Sequence, residues 1–129
     1  MNRELVWISK PALLLLHDES LAEHGGASGI RDEGLLDSAL ARPINRSLYE
    51  DADLASLAAS YAFGLAKNHP VVDGNKRAAF LALGLFLLLN GYRLTTTQLD
   101  ATTTVLSLAA SEIDEDSFAD WIRSRLVAR

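Results

Sequence analysis

Residues Ala78–Leu89, AAFLALGLFLLL, are apolar on every face. A helix with no polar stripe belongs in the middle of a domain, surrounded by other helices. The run of about 12 residues is well short of the ~18–20 needed to span a bilayer, so no membrane role is expected. Asn90-Gly91 ends it with a C-cap signal. Upstream, Leu54, Leu57, Ala58, Tyr61 and Leu65 recur at helical spacing, predicting a helix from about Asp51 to Asn68. Pro70 disfavours the α conformation at His69 and should stop that helix there. Further out, Asp32 is a candidate N-cap for a short helix, Glu33–Arg42, burying Leu36 and Leu40 and ending before Pro43. Ile44–Glu50 then reads as extended. Ser9 is a plausible cap for a helix through about Glu23, with Pro11 tolerated in its first turn, and Leu5–Ile8 is a candidate strand. Gly25, Gly26, Ser28 and Gly29 make a flexible loop. Helices at about Gln98–Ala110 and Glu115–Val127 complete the set, the last capped by Asp114 with Phe118, Trp121, Ile122 and Arg125 down one side. The expected fold is all-α: a compact bundle of about six helices around a buried central helix, with room for a short β-hairpin or N-terminal strand.

Composition agrees. A chain of 129 residues and 14.0 kDa is read as a single domain, 1–129. Hydrophobic residues make up 49%, enough to bury a core and too many for a disordered chain. Ala and Leu fill about a third of the positions and Val, Ile and Thr about an eighth, a bias toward helix. The formal net charge of −5, from 12 basic and 17 acidic residues, argues against a broad nucleic-acid surface. The absence of cysteine excludes disulfides, thiol nucleophiles and Cys-based metal sites. The N-terminus lacks the apolar run and cleavage site of a signal peptide, which points to the cytoplasm.

The chemistry concentrates in His69–Arg77, HPVVDGNKR, which opens the apolar helix. Lys76 and Arg77 stand in the first turn, where the helix dipole already disfavours cations. Gly74 precedes them and allows a backbone anion nest. Free N–H groups, two cations and a glycine at one point suit a phosphate. Asp73 is an oxygen ligand able to hold Mg²⁺ against nucleotide phosphates. His69 carries an imidazole, the side chain most often used to accept a hydroxyl proton. Asn75 can cap the helix or contact phosphate oxygens. Taken singly, His69 is an ordinary helix-end residue, Asp73-Gly74-Asn75 an ordinary turn and Lys76-Arg77 a solvated pair. Together, at the mouth of an apolar helix, they supply what phosphoryl or nucleotidyl transfer needs. No Walker A string is present. His17 and His24 have no such company in sequence, which assigns both to structural or solvent-facing positions.

HPVVDGNKRAA resembles the signature of the Fic/Doc family, HxFx(D/E)GN(G/K)R. The segment Gly29–Pro43, GIRDEGLLDSALARP, also resembles the N-terminal part of Doc-type members, in the family's order and spacing. Adenylyltransferases of the family typically carry Gly where this chain has Lys76, and a second arginine where it has Phe80. Lys at that position marks the Doc (death on curing) toxins. The resemblance implies a Fic-fold bundle and kinase chemistry, with the γ-phosphate of ATP passing to a threonine hydroxyl of elongation factor Tu. It implies His69 as general base, Asp73 as the Mg²⁺ ligand, Gly74 and Asn75 as an anion hole, and Lys76 and Arg77 on the phosphates. It further implies a Phd-type antitoxin whose C-terminal segment folds as a helix into a groove of the toxin.

Two departures bear on the site. Val71 replaces the Phe that anchors the loop, giving a looser apolar anchor, and Ala78 stands where many Doc sequences have Thr. The self-inhibitory motif [S/T]xxxE[G/N] is nearest at Ser111–Glu115 and fails at Asp116, which favours control by a separate antitoxin. The alternatives to a toxin kinase are an adenylyltransferase, a catalytically inactive binding module and a nucleotide or small-anion sensor.

Overall fold

The computed structural model describes residues 4–129. Six helices follow one another: α1 Lys10–His24, α2 Glu33–Tyr49, α3 Leu54–Asn68, α4 Asn75–Leu89, α5 Gln98–Ala109 and α6 Glu115–Arg125. Two short strands, β1 Tyr92–Leu94 and β2 Leu126–Ala128, pair antiparallel with Arg93 opposite Val127. The sheet is therefore not a hairpin. It ties the chain after α4 to the chain after α6, which ends the last helix short of Val127.

The expected bundle is present, and its most enclosed member is α3. Ten of its fifteen residues are buried, against six of fifteen in α4. Small side chains make this enclosure feasible: a Cβ on Gly64 would come within 3.2 Å of Ala39 on α2. The apolar run of α4 is covered along Ala78, Ala79, Ala82, Leu83, Phe86 and Leu87 only. Gly84, Leu88 and Leu89 are exposed, so α4 is not surrounded on every side.

Two other expectations need correction. Leu5–Ile8 is extended but forms no strand. Its backbone is satisfied by side chains: Asn90 accepts from Val6 N at 2.9 Å and donates to Val6 O at 2.9 Å, and the Tyr61 hydroxyl accepts from Ile8 N at 3.1 Å. A side-chain amide thus does the work of a neighbouring strand. Helix α2 runs straight through Pro43 to Tyr49 instead of ending at Arg42. Proline removes one N–H and crowds the preceding turn, but tertiary contacts hold the next turn helical. Pro43 is buried, and Arg42 and Arg46 on either side of it both reach Glu115 of α6. Arg46 also bonds Ser56 O and Glu50.

Asp53 caps α3, accepting from Ser56 N at 2.9 Å, and accepts from Nε and Nη2 of Arg123 at 2.7 and 2.9 Å. Arg123 first, then the Ser56 bonds, hold this carboxyl well below the usual carboxylate range. A depressed folded pKa contributes stability above the unfolded value near ~3.9 and loses it as pH falls through the folded value. Asp53→Asn should therefore lower the melting temperature at pH 7, with the gap to wild type closing as pH drops below about 4. A gap independent of pH would contradict this assignment.

Candidate active site

The site is assembled from two chain segments far apart in sequence. Helix α3 ends at His69, whose backbone is left-handed (φ 50°, ψ 53°). That conformation is uncommon for a non-glycine residue, and Arg31 fixes it: its Nε donates to His69 O at 2.6 Å and its Nη2 to Asn68 O at 2.9 Å. Arg31 N and Asp32 N both donate to Pro70 O, Val72 N donates to Gly29 O at 3.0 Å, and Ile30 bridges Val71. The GIRD and HPVV strings are thus hydrogen-bonded partners. Arg31 was not among the expected site residues; the signal was there, since it lies inside one of the two matched strings.

Val71 is buried, as an anchor must be. Asn75 clamps it from the other side: Val71 N donates to Asn75 Oδ1 at 2.9 Å and Asn75 Nδ2 donates to Val71 O at 3.0 Å. Both polar atoms of the Asn75 amide are thereby committed to the loop. The capping role expected of that side chain is not seen, since α4 has no side-chain cap, while the backbone N–H and the second hydrogen of Nδ2 remain for an anion.

The turn then rises through Gly74, at φ 77°, into α4. Ser9, Asp32, Asp53, Thr97 and Asp114 each cap their helix with a side-chain oxygen, while α4 starts with no side-chain cap. Its first turn carries Lys76 and Arg77. Neither has an ion pair or hydrogen-bond partner among the described residues, although five other Lys or Arg side chains are ion-paired. Unpaired cations beside unpaired helix N–H groups form a concentrated positive site.

His69, Asp73, Gly74, Asn75 and Lys76 line one open cavity of about 300 Å³. Arg77 does not line it. Its guanidinium lies 5.9 Å from the Phe80 ring, within cation–π range, and borders a neighbouring hollow shared with Lys76, Thr102, Val105 and Leu106. The His69 ring is exposed and without a partner among the described residues. Asp73 accepts from Ala27 N through Oδ2 at 3.3 Å, which leaves Oδ1 open. No cluster of three metal-ligating side chains exists among the described residues. One free carboxylate oxygen fits Mg²⁺, which takes few protein ligands when phosphates supply others.

A family model described as the Fic/DOC family matches residues 7–87, spanning both strings and the whole cavity. The chain belongs to the Fic/Doc family. Within it the chain is Doc-type, for both relatives found are Doc proteins. It is 35% identical over 117 residues to the protein kinase doc of Escherichia phage P1, covering 90% of this chain and 92% of that protein. It is 47% identical over 72 residues to the toxin Doc of Mycolicibacterium smegmatis, covering 54% of this chain and 55% of the other. No described helix is long and apolar enough to cross a membrane. His17, expected to be structural or solvent-facing, is buried on α1 outside the family signature, and its ring touches the Asp73–Gly74 turn.

Proposed function

We propose that this Doc-type protein is the toxin of a toxin–antitoxin module and a protein kinase. It transfers the γ-phosphoryl group of ATP to a threonine hydroxyl of elongation factor Tu in the cytoplasm. The observation that carries the reading is the start of α4, the one helix among the described residues without a side-chain cap, with Lys76 and Arg77 beside it and without an ion pair among those residues. A helix start of this kind, with free N–H groups and two cations, is a ready-made anion-binding site. The name of the phage relative, protein kinase doc, supports phosphoryl over nucleotidyl transfer. So does Lys76, which takes up space that glycine leaves for phosphates in the adenylyltransferases.

In this reading His69 accepts the proton of the acceptor hydroxyl. The hydroxyl oxygen bonds to the γ-phosphorus as the bond from that phosphorus to the β–γ bridging oxygen breaks. ADP leaves with the bonding pair, and the hydroxyl proton stays on the His69 ring. Gly74 and Asn75 present backbone N–H groups to the phosphates, and Lys76 and Arg77 offset their charge. Asp73 would hold Mg²⁺, which when bound neutralises charge on the phosphate oxygens. Incubation with an acceptor extract and ATP labelled at the γ or the α phosphate tests the reading. Label should pass to protein from the γ position only; transfer from the α position would make the protein an adenylyltransferase.

The open strip of α4 supports an antitoxin partner of the Phd type. Phe80, Gly84 and Leu88 border a largely apolar groove of about 420 Å³ that continues along Leu94 and Ala101. Leu88 is 47% exposed, a large apolar side chain left in water. Leu88→Asp should leave label transfer unchanged and weaken neutralisation by the antitoxin at least about tenfold. Unaltered neutralisation would place the antitoxin elsewhere.

A further inference from the structure

His17 sits on α1 with 2% of its surface exposed. Its Nε2 lies 2.9 Å from the carbonyl oxygen of Asp73. A carbonyl can only accept, so Nε2 carries a hydrogen and donates it. Nδ1 is buried with no hydrogen-bond partner. An apolar residue would fill this place without that cost, so the bond to Asp73 O is what the imidazole contributes. The ring is pressed against the turn: a Cβ on Gly74 would come within 2.9 Å of His17 Cε1.

The consequence follows from peptide geometry. Across a trans peptide the C=O and N–H point in opposite directions. Drawing the Asp73 carbonyl down onto α1 turns the N–H of Gly74 away from α1. Gly74 is also the residue at which the turn meets the cavity, beside His69 and Lys76. The glycine has no side chain to hold this plane, and its φ of 77° lies in a region that glycine enters without steric cost. We infer that His17 is a positioning residue of the site: its Nε2–H sets the Asp73–Gly74 peptide so that the Gly74 N–H faces the nucleotide phosphates. The inference rests on the reading of the cavity as a phosphate site. It requires only that Nε2 be a donor.

The test compares His17→Leu, which removes the donor, with His17→Gln, whose amide can donate from a similar distance. MgATP is titrated into the full chain, and the amide resonance of Gly74 is followed by NMR alongside thermal melting. The expected result is a Kd for MgATP raised about tenfold in His17→Leu, with the Gly74 response largely lost. His17→Gln should stay within about threefold of wild type and keep the response, even where both variants melt earlier. Wild-type affinity and an intact Gly74 response in His17→Leu would overturn the inference. So would His17→Gln behaving like His17→Leu, since a packing role alone is not rescued by a donor. A wild-type Gly74 amide that ignores MgATP would overturn it together with the phosphate site. MgATP binding without transfer to protein would sink the kinase reading and leave the role of His17 standing.

Discussion

Replacing His69 by alanine should abolish growth arrest and cut phosphoryl transfer by about 10²–10⁴-fold, the range for loss of a general base. The fold should survive, because the structural part of His69 is its backbone. Arg31 holds the His69 carbonyl, and the ring is exposed with no partner among the described residues. His69→Asn sharpens the test, since asparagine tolerates the left-handed backbone at φ 50° better than alanine. Both variants should melt close to wild type and bind MgATP, as neither touches the start of α4. Single-turnover transfer rates measure the loss directly. A His69→Asn variant that transfers at the wild-type rate would assign the proton to another group.

The largest expected effect on stability is at Phe86. Its side chain is fully buried where α4, α3 and the N-terminal segment meet, with its ring 5.7 Å from Trp7 in a stacked pair and 5.0 Å from Tyr61 in a tilted one. One turn later Asn90 holds Val6, and Tyr61 holds Ile8, so the same cluster fixes the extended segment to the bundle. Phe86→Ala should cost about 3–5 kcal/mol. Against a total of about 5–15 kcal/mol for a domain of this kind, that is a large fraction. Thermal melting should fall by more than about 10 °C. Leu15→Ala is the control: the side chain is 61% exposed, and the change should stay within about 0.5 kcal/mol. Equal effects at the two positions would mean the core is not organised around Phe86.

Much of this fold was legible because local signals and packing agree. Ser9, Asp32 and Asp114 read as caps and are caps; Pro70 predicts the end of α3, and the chain turns at His69. The failures share a cause: in each, a distant residue decides the local conformation. Glu115, far along the chain, keeps α2 helical past Pro43, and Asn90 stands in for a strand beside Val6. The lack of a polar face placed α4 inside the bundle, yet it does not distinguish a face covered by this chain from one left open at Leu88. At the site, the loop His69–Arg77 could be read because its charges break the dipole rule. The clamp of Asn75 on Val71 was not legible, since an amide in sequence gives no sign of which backbone it binds. The bond from His17 to the Asp73 carbonyl was hidden for the same reason: nothing around His17 on α1 refers to Asp73.

The central claim is that the uncapped start of α4 serves phosphoryl transfer to a protein hydroxyl. Intact mass measurement of purified elongation factor Tu, after incubation with this protein, ATP and Mg²⁺, tests it most directly. The account predicts the addition of one phosphoryl group, mapped to a threonine and absent with His69→Ala. The addition of AMP, or an unmodified factor in the presence of active protein, would contradict it.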